Sequence, residues 1–327
     1  MKLLKILISV LVLVYLFFLI SWEQLLLALE NSSPGYYVFS AAIAMLGPIV
    51  MGLKYYYLLK GTEIQKKAGF MVRVNYISRY YSILLPSGVG QLAVRWYQVT
   101  RNETGRLLFF MLSVYERVSF ILVVCIIYFA TAMVYKNDNR LFFSSDYVLT
   151  VVSLVLAFTV AVILYFRLKS FRALVYRPLS KVFSYVPFVH KFFEKVSKNV
   201  SEAAEKTMVN NKKNTIESIF SLIWILIFFI RYYFIAQSLH LNISFVDMFL
   251  VSMVLIVIQM LPISFSGVGV REGGLILMYQ TLGESQEAAV LSGIMFFSHI
   301  LFIALFGMVF LILGKYVDGN EKSNITE

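Results

Sequence analysis

Six nearly unbroken apolar runs, at about 3–20, 36–59, 107–135, 147–166, 216–239 and 286–313, decide what this chain can become. Each is close to or above the roughly 20 residues that an α-helix needs to cross a hydrocarbon layer about 30 Å thick. Within such a layer no water satisfies backbone N–H and C=O groups, so runs of this length must be helical. Composition agrees. Of 327 residues, 60% are apolar and 14% charged, against about a quarter charged in soluble domains. We therefore expect an all-α polytopic membrane protein, multi-pass in the inner cell membrane.

The first run follows Lys2 and Lys5, but Ser21-Trp22-Glu23 comes after it rather than a small-x-small cleavage site. It reads as an uncleaved span with a cytoplasmic N-terminus. The single cysteine, Cys125, lies inside an apolar run and cannot form an intrachain disulfide. His190, His240 and His299 are scattered, so neither a metal nor a cofactor is expected, and His299 reads as a satisfied helix-contact residue. The net charge of +11 raises nucleic acid as a partner. Because the basic residues concentrate in loops, the positive-inside rule accounts for them and no nucleic-acid partner is expected.

Loop charge sets the topology. The loop 21–35 lacks Lys and Arg and is expected outside, whereas Lys54, Lys60, Lys66, Lys67 and Arg73 mark 54–73 as cytoplasmic. The segment 167–215 carries eleven basic residues against three acidic and is also expected inside. Two further apolar stretches, 68–86 and 243–262, each run into a Pro/Gly cluster. Parity then favours six full spans plus two re-entrant hairpins entering from opposite faces; eight full crossings is the alternative. The chain is expected to be one domain: a first half of 1–166, a cytoplasmic loop 167–215, a second half 216–313 and a short tail 314–327. Within 187–206, apolar residues at helical spacing oppose lysines. Such a helix suits an anionic cytoplasmic leaflet, or equally the protein's own cytoplasmic face.

The breaks repeat. Leu84-Leu85-Pro86-Ser87-Gly88-Val89-Gly90 with Arg95 downstream recurs as Leu261-Pro262-Ile263-Ser264-Phe265-Ser266-Gly267-Val268-Gly269 followed by Arg271-Glu272. Paired breaks in two halves point to an inverted-repeat transporter core. Where a helix restarts after Gly90 or Gly269, free N–H groups offer an anion site; a packing kink without a ligand is the plainer reading. Charged residues cluster about the same places: Arg79, Arg95, Glu116, Arg117, Arg231, Arg271 and Glu272. A charge at mid-bilayer costs about 2.5–3.5 kcal/mol by insertion scales, so these side chains should face the protein interior. The arginine surplus suits a phosphate-bearing substrate. Alternatively, Arg117–Glu272 and Arg271–Glu116 are structural bridges, and Arg79 snorkels to the headgroups. Neighbours on a helix point about 100° apart, so Arg271 and Glu272 are not expected to pair with each other. The clusters Tyr55-Tyr56-Tyr57, Tyr80-Tyr81 and Tyr232-Tyr233 read as interfacial belts.

Pro86-x-Gly88-x-Gly90 with Arg95, then Glu116-Arg117, then Pro262 with Gly267-x-Gly269-x-Arg271-Glu272 resembles the lysylphosphatidylglycerol synthase transmembrane region. That resemblance spans nearly the whole chain. It implies a pseudo-symmetric domain that moves or accommodates an anionic phospholipid or a polyprenyl-linked lipid between leaflets. By this resemblance Gly88, Gly90, Gly267 and Gly269 with Arg95, Glu116, Arg117, Arg271 and Glu272 are the substrate-binding candidates, and Arg79 and Arg231 secondary ones. The family pattern often places an acidic residue soon after the Glu-Arg pair, where this chain has Val118, Ser119 and Phe120. No synthetase domain is expected before Glu327, so the chain reads as a flippase or permease rather than an enzyme. The other readings are an integral-membrane transferase acting on a lipid-linked substrate and an accessory subunit of an envelope-polysaccharide system. A homo-oligomer is compatible with the sequence.

Overall fold

The computed structural model describes residues 30–84, 89–101, 105–134, 146–170, 211–260 and 269–321, with the single positions 23, 173, 176 and 180. The expected first span 3–20, the surface helix 187–206, and Gly88 and Gly267 lie outside the described residues. The described chain is helical: α1 (Pro34–Leu59), α2 (Ala68–Leu84), α3 (Val89–Thr100), α4 (Arg106–Val134), α5 (Asp146–Arg167), α6 (Asn211–Ser238), α7 (Phe245–Met260), α8 (Val270–Thr281) and α9 (Gln286–Glu321).

Among the described residues, α1, α4, α6 and α9 are long and apolar enough to cross a membrane, with mean hydropathies of 1.7, 2.2, 2.2 and 2.6. The protein is a multi-pass membrane protein. Its outer faces carry side chains that water would not tolerate in such density, Phe158, Leu226, Leu277 and Leu305 among them, all at least half exposed. Charged groups within the helices, Lys54, Arg95, Glu116, Glu217, Arg231, Arg271 and Glu272, are buried instead. The stretch 147–166 forms α5, whose described apolar segment is Val152–Tyr165. Near 1.5 Å per residue, α2 and α7 are about 25 Å long and α3 and α8 about 18 Å, all short of a full hydrocarbon layer.

The order of the helices in the two halves corresponds: α1, α2, α3 and α4 to α6, α7, α8 and α9. The packing corresponds as well. Helix α2 rests on α9 while α7 rests on α4, and α1 meets α9 as α6 meets α4. The most extensive contact joins the equivalent helices α1 and α6 to each other. They run antiparallel. Ser33 N–H donates to Ser238 C=O at 2.7 Å and Ser40 Oγ to Arg231 C=O at 2.9 Å, while at the far end Lys213 Nζ donates to Leu58 C=O at 3.4 Å.

The broken arms return to where they start. Ile64, before α2, lies against Gly105, after α3. Asn242 N–H, before α7, donates to Glu284, after α8, at 2.7 Å. The first pair adjoins the Leu58 end of the α1–α6 pair and the second its Ser238 end. The core that holds these arms has its largest apolar cluster among α4, α6, α7, α8 and α9, and a second one among α1, α2, α3 and α4.

Helix α2 is clamped between α1 and α9 through glycines. A Cβ on Gly52 of α1 would stand 2.5 Å from Val72 Cα, and a Cβ on Gly307 of α9 would strike the Tyr76 carbonyl oxygen. In lipid, where apolar burial drives little association, such backbone approach is what gains dispersion contact. Gly307→Ala should therefore lower the melting temperature in detergent, with overpacking costing about 1–3 kcal/mol. Gly69→Ala, with nothing within 4 Å of the added carbon, should leave it unchanged; equal melting of the two variants would refute the clamp.

Candidate functional site

A cavity of about 140 Å³ lies where the ends of α2 and α7 that precede the two breaks approach each other. Helix α2 contributes Ser78, Arg79 and Ser82, and α7 contributes Ile256, Gln259 and Met260. Gln91 and Arg95 enter from α3, Glu116, Arg117 and Phe120 from α4, and Trp224, Phe228 and Arg231 from α6. Pro48 of α1 and Phe296 of α9 close it. Four arginines and one glutamate thus face a single space.

Two of the arginines, Arg95 and Arg231, lie over aromatic rings. The Arg95 guanidinium stacks 4.4 Å from the Tyr55 ring centre, and Arg231 4.1 Å from that of Phe296. An aromatic face offers negative potential without cancelling the cation or saturating its N–H groups. Arg95 Nε, Arg231 Nε and Nη2 and Gln259 Nε2 are buried with no hydrogen-bond partner among the described residues. Buried donors left this way are costly, and the few in a native structure call for an explanation. Arg79 lies within electrostatic range of Arg95, Arg117 and Arg231. It faces the cavity and does not snorkel to a headgroup layer.

Glu116 is already engaged. Lys54 of α1 donates to its Oε1 at 2.6 Å and Tyr55 to its Oε2 at 3.0 Å. Lys54 also bridges Glu217 of α6 at 2.8 Å and donates to Ser221 at 2.9 Å, and its side chain is wholly buried. Counting Lys54 among cytoplasmic loop charges was therefore wrong, because it sits a turn and a half inside α1. The reading of Tyr55 and Tyr232 as interfacial belt residues fails likewise. Both are buried, Tyr55 on Glu116 and Tyr232 stacked on Phe296 at 4.5 Å. Seen from the sequence, a lysine and tyrosines near a helix end look interfacial; only the fold of α1 against α4 and α6 places them inside.

Arg271 and Glu272 do not line this cavity. They sit behind Phe296, whose ring Arg271 approaches at 5.3 Å. Contrary to the expectation from helical geometry, the two neighbours pair with each other. Arg271 Nε donates to Glu272 Oε1 at 3.0 Å, and Nη2 reaches the same oxygen. The 100° rule constrains Cβ directions, whereas a long guanidinium arm can curl back. Glu272 Oε2 accepts from Gly269 N–H at 2.6 Å. The carboxylate thus occupies the start of α8, where an external anion was expected. Gly269 holds φ +85°, a conformation L side chains rarely adopt. The bridges Arg271–Glu116 and Arg117–Glu272 are replaced, since both carboxylates are taken by Arg271, the Gly269 N–H, Lys54 and Tyr55. Gly90 is buried at the start of α3. His299, expected to be satisfied, is buried with neither ring nitrogen partnered among the described residues; its ring lies 5.0 Å from that of Tyr37. Among the described residues no three His, Cys, Asp or Glu side chains gather to hold a metal ion.

The profile described as lysylphosphatidylglycerol synthase TM region matches residues 2–307, and the chain belongs to this family. No curated protein and no solved structure is significantly similar to it.

The Lys54 cluster makes a sharp expectation. Removing one partner of a buried ion pair leaves an uncompensated charge, at a cost of about 3–5 kcal/mol. Lys54→Met should therefore melt well below the parent in detergent. The triple change with Glu116→Gln and Glu217→Gln should recover much of the loss. A single variant as stable as the parent would show the cluster to be dispensable.

Proposed function

From its place in this family and from its arginine cavity, we propose that the protein binds the phosphate of an anionic lipid headgroup and passes that lipid between leaflets. The observation that carries the reading is the convergence of Arg79, Arg95, Arg117 and Arg231 on one space whose only lining carboxylate, among the described residues, is already held by Lys54. Guanidinium groups recognise phosphate through paired N–H donors, and a buried positive surplus is stabilised by the arrival of an anion. This is transport without covalent change, so the protein acts as a permease and not as an enzyme.

The path rests on the arms. In this reading 3–20 and 147–166 cross the membrane together with α1, α4, α6 and α9. Helices α2–α3 and α7–α8 form two opposed re-entrant hairpins of an inverted repeat, with the N-terminus cytoplasmic in the inner membrane. The antiparallel α1–α6 pair, the exchange of contacts between halves and the return of each arm to its starting end support it. Irregular backbone at membrane depth survives only where protein or a wet cavity covers it. Lipid movement then comes from the arms shifting against the four long helices.

The purified protein in vesicles with fluorescent phosphatidylglycerol should make the outer and inner pools exchange, read as added loss of fluorescence to an impermeant quencher. Arg95→Gln and Arg231→Gln should each slow exchange by roughly tenfold, the scale of one charge-assisted hydrogen bond. Exchange at the level of protein-free vesicles, with phosphatidylglycerol, phosphatidate and a polyprenyl phosphate all tried, would remove the proposal.

A further inference from the structure

We infer that the cavity is built for a headgroup carrying at least two negative charges, a terminal phosphate or a diphosphate on an amphiphile, in preference to a singly charged phosphodiester. The inference rests on the anionic-lipid reading and refines it by charge.

The lining brings four guanidinium groups and one carboxylate together. Behind that carboxylate stand Lys54 and Glu217, both in ion pairs with the lysine at 2.6 and 2.8 Å. Leaving Arg117 aside, Arg79, Arg95, Arg231 and Lys54 outnumber Glu116 and Glu217, and the linked set keeps a positive surplus of two. Arg271 and Glu272 cancel each other outside the cavity. A phosphodiester brings one negative charge and would leave half of that surplus unmet. A terminal phosphate brings about −1.5 to −2 at neutral pH, and a diphosphate more, so these come closer to balance.

Donor geometry agrees with charge. Arg95 comes from the first half and Arg231 from the second, and both keep buried N–H groups without a partner, as does Gln259 at the end of α7. Donors converging from α3, α6 and α7 ask for an anion with several exposed oxygens. A terminal phosphate presents three, whereas a phosphodiester presents two between ester links. Alongside the polar Asn75, Ser78, Ser82 and Gln91, the lining includes an apolar and aromatic wall of Phe120, Trp224, Phe228 and Met260. That wall suits the start of a hydrocarbon chain and not a free ion.

The test uses the whole protein in an uncharged detergent and follows binding of farnesyl diphosphate, dioctanoyl phosphatidate, dioctanoyl phosphatidylglycerol and inorganic pyrophosphate. Farnesyl diphosphate and phosphatidate should bind at least about tenfold tighter than phosphatidylglycerol, the extra charge interacting with the surplus at short range. Arg95→Gln and Arg231→Gln should narrow that ratio, while Arg231→Lys, which keeps the charge, retains most of it. Arg101→Gln, at an exposed position, serves as the control and should change nothing. Phosphatidylglycerol binding as tightly as the others, still weakened by Arg→Gln, would overturn this inference and leave the lipid reading standing. Amphiphile binding indifferent to both arginines would overturn the two together. Inorganic pyrophosphate matching farnesyl diphosphate would assign the cavity to a free anion and also overturn it.

Discussion

A charge inside a membrane protein must be answered within the protein, and the arrangement of these helices follows from how that demand is met. Lys54 is the case on which most depends. Its ammonium, on α1, takes Glu116 from α4 and Glu217 from α6, so one buried cation ties three long helices at a single level. In a hydrocarbon surrounding, where helix association gains little from apolar burial, such polar links and close backbone contacts do the joining. The arginines answer the same demand differently. Tyr55 and Phe296 stack on Arg95 and Arg231 without neutralising them. The positive potential is thereby conserved for the cavity instead of being spent on internal bridges.

Glycine placement explains how the broken arms are accommodated. Helix α2 lies so close to α1 and α9 that Gly52 and Gly307 have no room for a side chain. On the other half, a Cβ on Gly293 of α9 would stand 2.8 Å from a Glu272 oxygen. The smallness of that residue lets the Arg271–Glu272 pair pack beside α9. Each arm is thus seated against a helix of the opposite half, α2 on α9 and α7 on α4. Displacing either arm must therefore disturb contact between halves.

Much of this was legible in the sequence. Hydropathy alone outlines α1, α4, α6 and α9, because their lipid-facing residues have to be apolar whatever the packing. The paired breaks announce α2–α3 and α7–α8 through Pro86 and Pro262 and the glycines after them. The arginines were legible as inward-facing because exposure to lipid is too costly. What stayed hidden depends on which helix faces which. Lys54 looks like a loop charge until α1 is laid against α6, and Tyr55 looks interfacial until Glu116 is found beneath it. The role of Glu272 did leave a local signal. Gly269 followed three residues later by Glu272 has the spacing of a helix start capped by its own glutamate.

That capping separates the two halves chemically. In the repeat, Gly90 aligns with Gly269, so Ala93 stands where the second half has Glu272. Helix α8 begins with its own carboxylate bonded to the Gly269 N–H, and the positive end of its dipole is met from within. Helix α3 has no acidic residue in its first turn, and its Gln91 and Arg95 line the cavity. The two copies share their glycines but not their charges. Helix α3 thus brings Gln91 and Arg95 to the cavity, whereas its counterpart α8 is held by its own Arg271–Glu272 pair behind Phe296.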